Sequence, residues 1–128
     1  MKIENTDLII TEKMAIDNGY QQLSGEELKQ RIFGKTVRGE HHNGRKYVGY
    51  TDQNGNMEGI NDRGSHHFGE SSINIEDKTL TVKWDKGWEN WTSRAYDVDG
   101  EIKFFDSTTS KWRTTFKQFE DRKKAIIY

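Results

Sequence analysis

Past Lys35 the chain falls into one rhythm: short stretches alternate apolar and polar residues, and turn signals separate them at intervals of roughly 8–12 residues. Successive side chains on a strand face opposite sides of its sheet, so this pattern predicts an all-β sandwich or barrel. His42-Asn43-Gly44-Arg45 reads as a two-residue hairpin turn, while Gln53-Asn54-Gly55 and Val98-Asp99-Gly100 read as three-residue loops. Asp77-Lys78 is a weaker turn. The strands between them fall near 35–42, 45–52, 56–62, 66–76, 79–85, 91–97, 101–106 and 111–119. About eight strands joined by hairpins predict a single antiparallel up-and-down β-barrel, closed so that no edge is left to template aggregation. The chain has no proline and twelve glycines, which suits uninterrupted ladders and tight turns.

One helix precedes the barrel. Ser24-Gly25-Glu26-Glu27 is a capping box, Leu23 and Leu28 flank it as a hydrophobic staple, and Ile32 lies one turn beyond Leu28. Gly34 can end the helix in the left-handed conformation. The expected fold is therefore mainly β, with a short amphipathic helix and the barrel forming one domain over residues 23–128. Residues 1–22 are a polar leader with one apolar patch, Leu8-Ile9-Ile10, expected as a short helix or as a strap across one end of the barrel.

A 31% hydrophobic content and a mean hydropathy of -1.04 would suit a disordered chain. Against this stand 12% aromatic residues and a net charge of only -1, and a sheet with one wet face also reads as polar. With 20 Lys+Arg against 21 Asp+Glu there is no basic stripe, so no nucleic acid partner is expected. Absence of cysteine excludes disulfides, thiol nucleophiles and Cys-based metal sites. No stretch is long and apolar enough to span a membrane, and residues 1–20 lack the apolar core of a signal peptide. A cytoplasmic protein, or an exported one without its signal segment, is expected. The oligomeric state stays open.

Hairpins fix register, and directly opposed residues share a face. With Asn43-Gly44 as the turn, Val37, Gly39, Val48 and Tyr50 should face inward together, with Glu58 beside Tyr50 and Ile60 beside Val48. Ile73, Ile75, Leu80, Val82 and Trp84 should share the interior. Across Asp99-Gly100, Arg94 should oppose Phe104 and Tyr96 oppose Ile102, and Trp112, Thr114 and Phe116 should alternate inward. The expected interior thus mixes apolar walls with Glu58, Arg94 and, nearer a rim, His41 and Lys46. A buried ion is costly unless paired or ligand-bound, so these charges either pair to fill a small core or line a polar-tipped pocket. Barrels of eight strands are wide enough for one small ligand.

Three functional readings follow. The first is a binding module for a partly apolar small molecule with a polar or anionic end. Arg94 would take the charge, Tyr50, Tyr96 and Glu58 would assist, and Trp84, Trp112, Val48, Ile60 and Val82 would form walls. The second is an isomerase, cyclase or lyase, free of cofactors or metal-assisted, with Glu58, Tyr50 and His41 as acid–base candidates. The third is an interaction or inhibitor module with a solid core, acting through loops 85–91 and 106–111. His41-His42 and His66-His67 invite a metal test, but adjacent strand residues face apart and their spacing fits no ligand motif. No metal is expected, His41 and His67 being the weak candidates, and no cofactor is expected either. Trp84, Trp88 and Trp91 surround Asp85-Lys86-Gly87 and would form either a lid or a plug.

Leu23-Ser24-Gly25-Glu26-Glu27-Leu28 leading into Gly34-Lys35-Thr36-Val37 resembles the opening of small bacterial lipocalin-like (calycin-type) barrels of unknown function. The turn at Tyr50-Thr51-Asp52-Gln53-Asn54-Gly55 and the hairpin Asp77-Lys78-Thr79-Leu80-Thr81-Val82-Lys83-Trp84 extend the likeness across residues 23–106. Thr81 or Val82 stands where those proteins carry a cysteine, and His66-His67-Phe68 stands near the place of their first tryptophan. The resemblance implies a calycin-type barrel and brings no established activity.

Overall fold

The computed structural model describes residues 5–128, and the first four residues of the leader lie outside the described residues. A single turn of 3-10 helix, Thr6–Leu8, precedes helix α1, Glu12–Asp17. A two-residue strand β1, Gln21–Gln22, and helix α2, Gly25–Ile32, lead into the barrel. Its strands are β2 Lys35–His41, β3 Lys46–Thr51, β4 Asn56–Asn61, β5 His66–Asn74, β6 Thr79–Trp84, β7 Trp91–Val98, β8 Glu101–Asp106 and β9 Trp112–Asp121. Each pairs antiparallel with its neighbour in sequence, and β9 pairs with β2, so the sheet closes on itself as an eight-stranded up-and-down barrel. β1 adds to the second half of β7.

The capping box forms as expected. The Glu27 amide donates to Ser24 Oγ at 3.1 Å, and the Ser24 amide donates to Glu27 Oε1 at 3.0 Å. Gly34, at φ +79°, turns the chain from helix into β2. Helix α2 buries Leu28 and Ile32, with Leu23 before it and Phe33 after it, against Leu80, Ala95, Ile102 and Phe104 inside the barrel. It therefore plugs one end, and the loops at the other end, 42–45, 62–65, 85–90 and 107–111, surround a mouth.

Two hairpins differ from expectation by one residue each. At the first, the Gly44 amide donates to the His41 carbonyl and the His41 amide to the Arg45 carbonyl, with Gly44 alone at positive φ, +86°. The Asn43 side chain accepts from the Arg45 amide at 2.9 Å. The result is a three-residue loop with glycine in the left-handed position, not the two-residue turn expected. Glu40 opposes Lys46 and Val37 opposes Gly49. A one-residue slip turns a strand over. Tyr47, Gly49 and Thr51 therefore face inward on β3, and Met57, Gly59 and Asn61 follow on β4. Val48, Tyr50, Glu58 and Ile60 take the outer face.

The reverse happens at Val98-Asp99-Gly100-Glu101. Val98 opposes Glu101, and Asp99 and Gly100 both have positive φ, +54° and +92°, which is a two-residue turn of the primed kind rather than a three-residue loop. Ala95 then opposes Phe104, Arg94 opposes Phe105, and Tyr96 opposes Lys103. Arg94 and Tyr96 lie outside. A register shift on β9 opposite Phe104 and Phe105 puts Trp112 outside as well, while Thr114 and Phe116 stay inside. Across residues 75–78 the expected faces hold: Ile73 opposes Leu80, Ser71 opposes Val82, and Gly69 opposes Trp84. Ile75 lies beyond the end of β5 and is exposed.

The leader packs on the outer wall rather than across an end. Ile9 and Ala15, with Met14 and Tyr20, form a second core with Tyr96, Val98, Phe105 and Trp112. At the other terminus the chain runs over the outside of β2–β4. The Lys124 amide donates to Thr36 Oγ1 at 2.9 Å, Lys123 reaches Glu58 at 2.7 Å, and Val48 on that face is wholly buried.

Candidate functional site

A cavity of about 850 Å³ occupies the mouth half of the barrel. Its character comes from two opposed walls. On β2–β5 the inward positions include Gly39, Gly49, Gly59 and Gly69, with Gly49 directly opposite Gly59. Facing them is an aromatic wall. Trp84 and Trp88 meet edge to face with ring centres 4.6 Å apart, and Trp91, Phe104, Phe116 and Tyr47 continue it at centre distances of 5.3, 4.6 and 6.2 Å. The glycines leave room for these rings: a side chain on Gly59 would meet Trp84 and Trp88, and one on Gly69 would meet Trp84. At Gly49 the space is open, the Glu58 carbonyl oxygen at 3.4 Å being its single neighbour.

Polar side chains share this lining with the rings, most of them toward the mouth. Tyr47 Oη and Thr114 Oγ1 hydrogen-bond at 2.5 Å, and burial pushes the Tyr47 phenol well above its ordinary range, so it stays neutral. At the mouth His41 and His42 each bring Nε2 to Glu89 Oε2, at 3.1 and 3.0 Å. Burial, with His42 and Arg113 nearby, draws His41 down to about 4, so its imidazole is neutral at neutral pH. Arg113 contacts Glu89 and pairs with Asp106 at 2.5 Å. His67 lies against Trp88 with ring centres 4.6 Å apart, and its Nδ1 is 3.3 Å from Asp85. Trp88, half-buried in the loop after β6, leans over the mouth, and the Asn90 side chain anchors that loop by accepting from the Trp84 amide at 2.8 Å.

Of the residues singled out by sequence, His41, Val82, Trp84, Thr114 and Phe116 line the cavity, and so do Trp88 and Trp91. His67 occupies an inward position beside it. The remaining candidates turn their side chains outward. Arg94 is on the outer face, where Nε and Nη2 grip the Glu12 carboxylate at 2.7 and 2.8 Å. Tyr96 Oη donates to the same carboxylate at 2.8 Å. Those bonds fasten α1 to the barrel and leave neither residue free for an interior ligand. Trp112 is part of the same outer core. Glu58 bonds His66 Nε2 at 2.8 Å and Lys123 Nζ at 2.7 Å, and Lys123 also lies 5.9 Å from the centre of the Tyr50 ring. Val48, Tyr50 and Glu58 still border the cavity, because the Gly49–Gly59 pair leaves that wall one backbone thick, but their side chains alternate away from it. Ile60 follows them outward.

The reading of the sequence missed Tyr47, Met57, Glu89 and the inward role of Gly49, Gly59 and Gly69. A glycine every tenth residue from 39 to 69 was the available signal.

Fold and cavity together define a closed eight-stranded antiparallel barrel of lipocalin-like form, plugged at one end by a helix and hollow toward the other. Set against protein-family models, curated proteins and solved structures, the chain finds no match in any of the three. Among the described residues no helix is long and apolar enough to cross a membrane.

Proposed function

We propose that this barrel binds a small molecule with a flat, largely apolar body, seated over the open space at Gly49 beside the aromatic side chains, its polar end at the mouth. The observation that carries this reading is the Gly49–Gly59 pair facing inward, with open space at Gly49. Glycine in a strand interior weakens it, and since no side chain of the barrel fills the space over Gly49, its missing side chain is best explained by something that must approach the backbone closely. Aromatic walls joined by polar groups that can fix a ligand's orientation are the usual lining of such pockets. At the mouth Asn61 and Arg63 supply donors for a polar or anionic end, the role expected of Arg94. An interior this hollow weighs against the barrel as a solid interaction core. Acid–base catalysis by Glu58 and Tyr50 inside the barrel has no support, since both side chains lie outside. We place the chain, on the same motifs as above, among the small bacterial lipocalin-like barrels.

The test is cavity filling. Gly49→Leu puts a side chain into the open space on a strand whose backbone tolerates it. The probe is 1-anilinonaphthalene-8-sulfonate, read by quenching of tryptophan fluorescence. The wild-type chain should bind it saturably, and the variant should bind at least ~10-fold more weakly while still unfolding cooperatively. No saturable binding to the wild type, or equal binding by a folded variant, would overturn the reading.

A further inference from the structure

His41 ends β2 at the mouth and His42 begins the turn that follows. On a continuing strand their imidazoles would point apart, but the strand stops between them, and the rings lie with centres 4.6 Å apart. Both Nε2 atoms converge on one oxygen, Glu89 Oε2, presented from the loop after β6. One donor atom from each of the three residues lies within 4.8 Å of the others. We propose that His41, His42 and Glu89 form a binding site for a divalent transition-metal ion at the mouth of the barrel. Two imidazole nitrogens and a carboxylate suit zinc, nickel or ferrous iron and disfavour magnesium, which prefers oxygen ligands in a strict octahedron.

The neighbouring charges bear on this directly. Arg113 contacts Glu89 and lies 3.4 Å from His42 Nε2, and it has a second carboxylate, Asp106, at 2.5 Å. His42 Nε2 cannot donate to Glu89 and accept from Arg113 at once. A metal ion resolves this conflict by taking the nitrogen lone pairs and the Glu89 carboxylate while Arg113 remains on Asp106. Glu89 and Asp106 outweigh Arg113 by one negative charge, which favours a cation. His41 faces the cavity, so an ion held here would keep an open side toward it, for water or for the polar end of a bound molecule. The site stands on its own geometry and does not depend on whether the cavity holds a ligand.

Isothermal titration of the full chain, stripped of metal by chelator and brought to neutral pH, tests this with zinc and, separately, with nickel and magnesium. One zinc or nickel ion should bind per chain, and magnesium should give no saturable heat. His42→Gln and Glu89→Gln sit on the rim, where folding tolerates them, and each should weaken binding at least ~10-fold, since losing even an outer-shell partner costs that much. Arg113→Gln should tighten binding, whereas a merely structural arginine would leave it unchanged or weaker. His66→Gln, on the outer face, should bind as the wild type does. No saturable zinc or nickel binding, binding that survives both rim substitutions, or binding lost on His66→Gln would overturn the proposal.

Discussion

Gly39, Gly49, Gly59 and Gly69 occupy inward positions on four successive strands, yet they are not equivalent. A side chain at Gly39 would collide with the Thr115 carbonyl oxygen and the Tyr47 hydroxyl, and one at Gly69 with the Lys83 carbonyl oxygen. Backbone cannot step aside, so Gly39→Ala and Gly69→Ala should each cost about 1–3 kcal/mol of stability. Gly49→Ala meets only ordinary contact and removes freedom from the unfolded chain, so it should stabilise by about 0.5–1 kcal/mol. Urea denaturation of the three variants checks the contrast. Equal destabilisation at all three would mean that the space beside Gly49 is not there. None of this difference could be read from sequence, because a glycine letter does not say whether it yields room to a neighbour or to a void. Trp84 was legible because Leu80, Val82 and Trp84 alternate on one strand with no turn of uncertain length between them.

At the scale of elements, the leader is held by one carboxylate. Glu12 accepts from Arg94, Tyr96 and Ser110, and the Arg94 guanidinium, with help from the two hydroxyls, holds its carboxyl below the ordinary value of 4.5 against the opposing effect of burial. Arg94→Ala would leave that carboxylate under the leader without its cation. Loss of one partner of a fully buried pair costs 3–5 kcal/mol, and Arg94 is 27% exposed, so about 2–3 kcal/mol is expected here. The sign with pH follows from the lowered carboxyl: its contribution is complete above 4.5 and is lost as pH falls through the lower folded value. Unfolding of wild type and Arg94→Ala should therefore differ clearly at neutral pH and converge as the pH falls below the ordinary carboxyl range. A gap that stays constant would remove Glu12 as the cause. Sequence reading placed Arg94 in the pocket because one residue of turn length, at Asp99-Gly100, separates the two faces of β7 and β8.

For the whole molecule, closure sets the kinetics. Seven of the pairings join strands adjacent in sequence, whereas β2 with β9 brings Val37 to Phe119 across nearly the full chain. Such non-local pairing slows folding, so refolding should take milliseconds to seconds, and with no proline it should lack the phase of tens of seconds that prolyl isomerisation adds. Stopped-flow tryptophan fluorescence would show it. A dominant slow phase would point instead to misregistered hairpins that must reopen. Alternation, turn residues and the capping box at Ser24–Glu27 sufficed to determine from sequence alone that this chain makes eight antiparallel strands behind a helix, since each rests on contacts within a few residues. Which face of β3, β4 and β7 looks inward was decided only in the closed barrel. Asn43-Gly44 and Asp99-Gly100 each allow two turn lengths of similar local energy, and the choice between them falls to packing against strands far away in sequence. The cavity, the leader's clamp and the histidine pair at the mouth all descend from that choice.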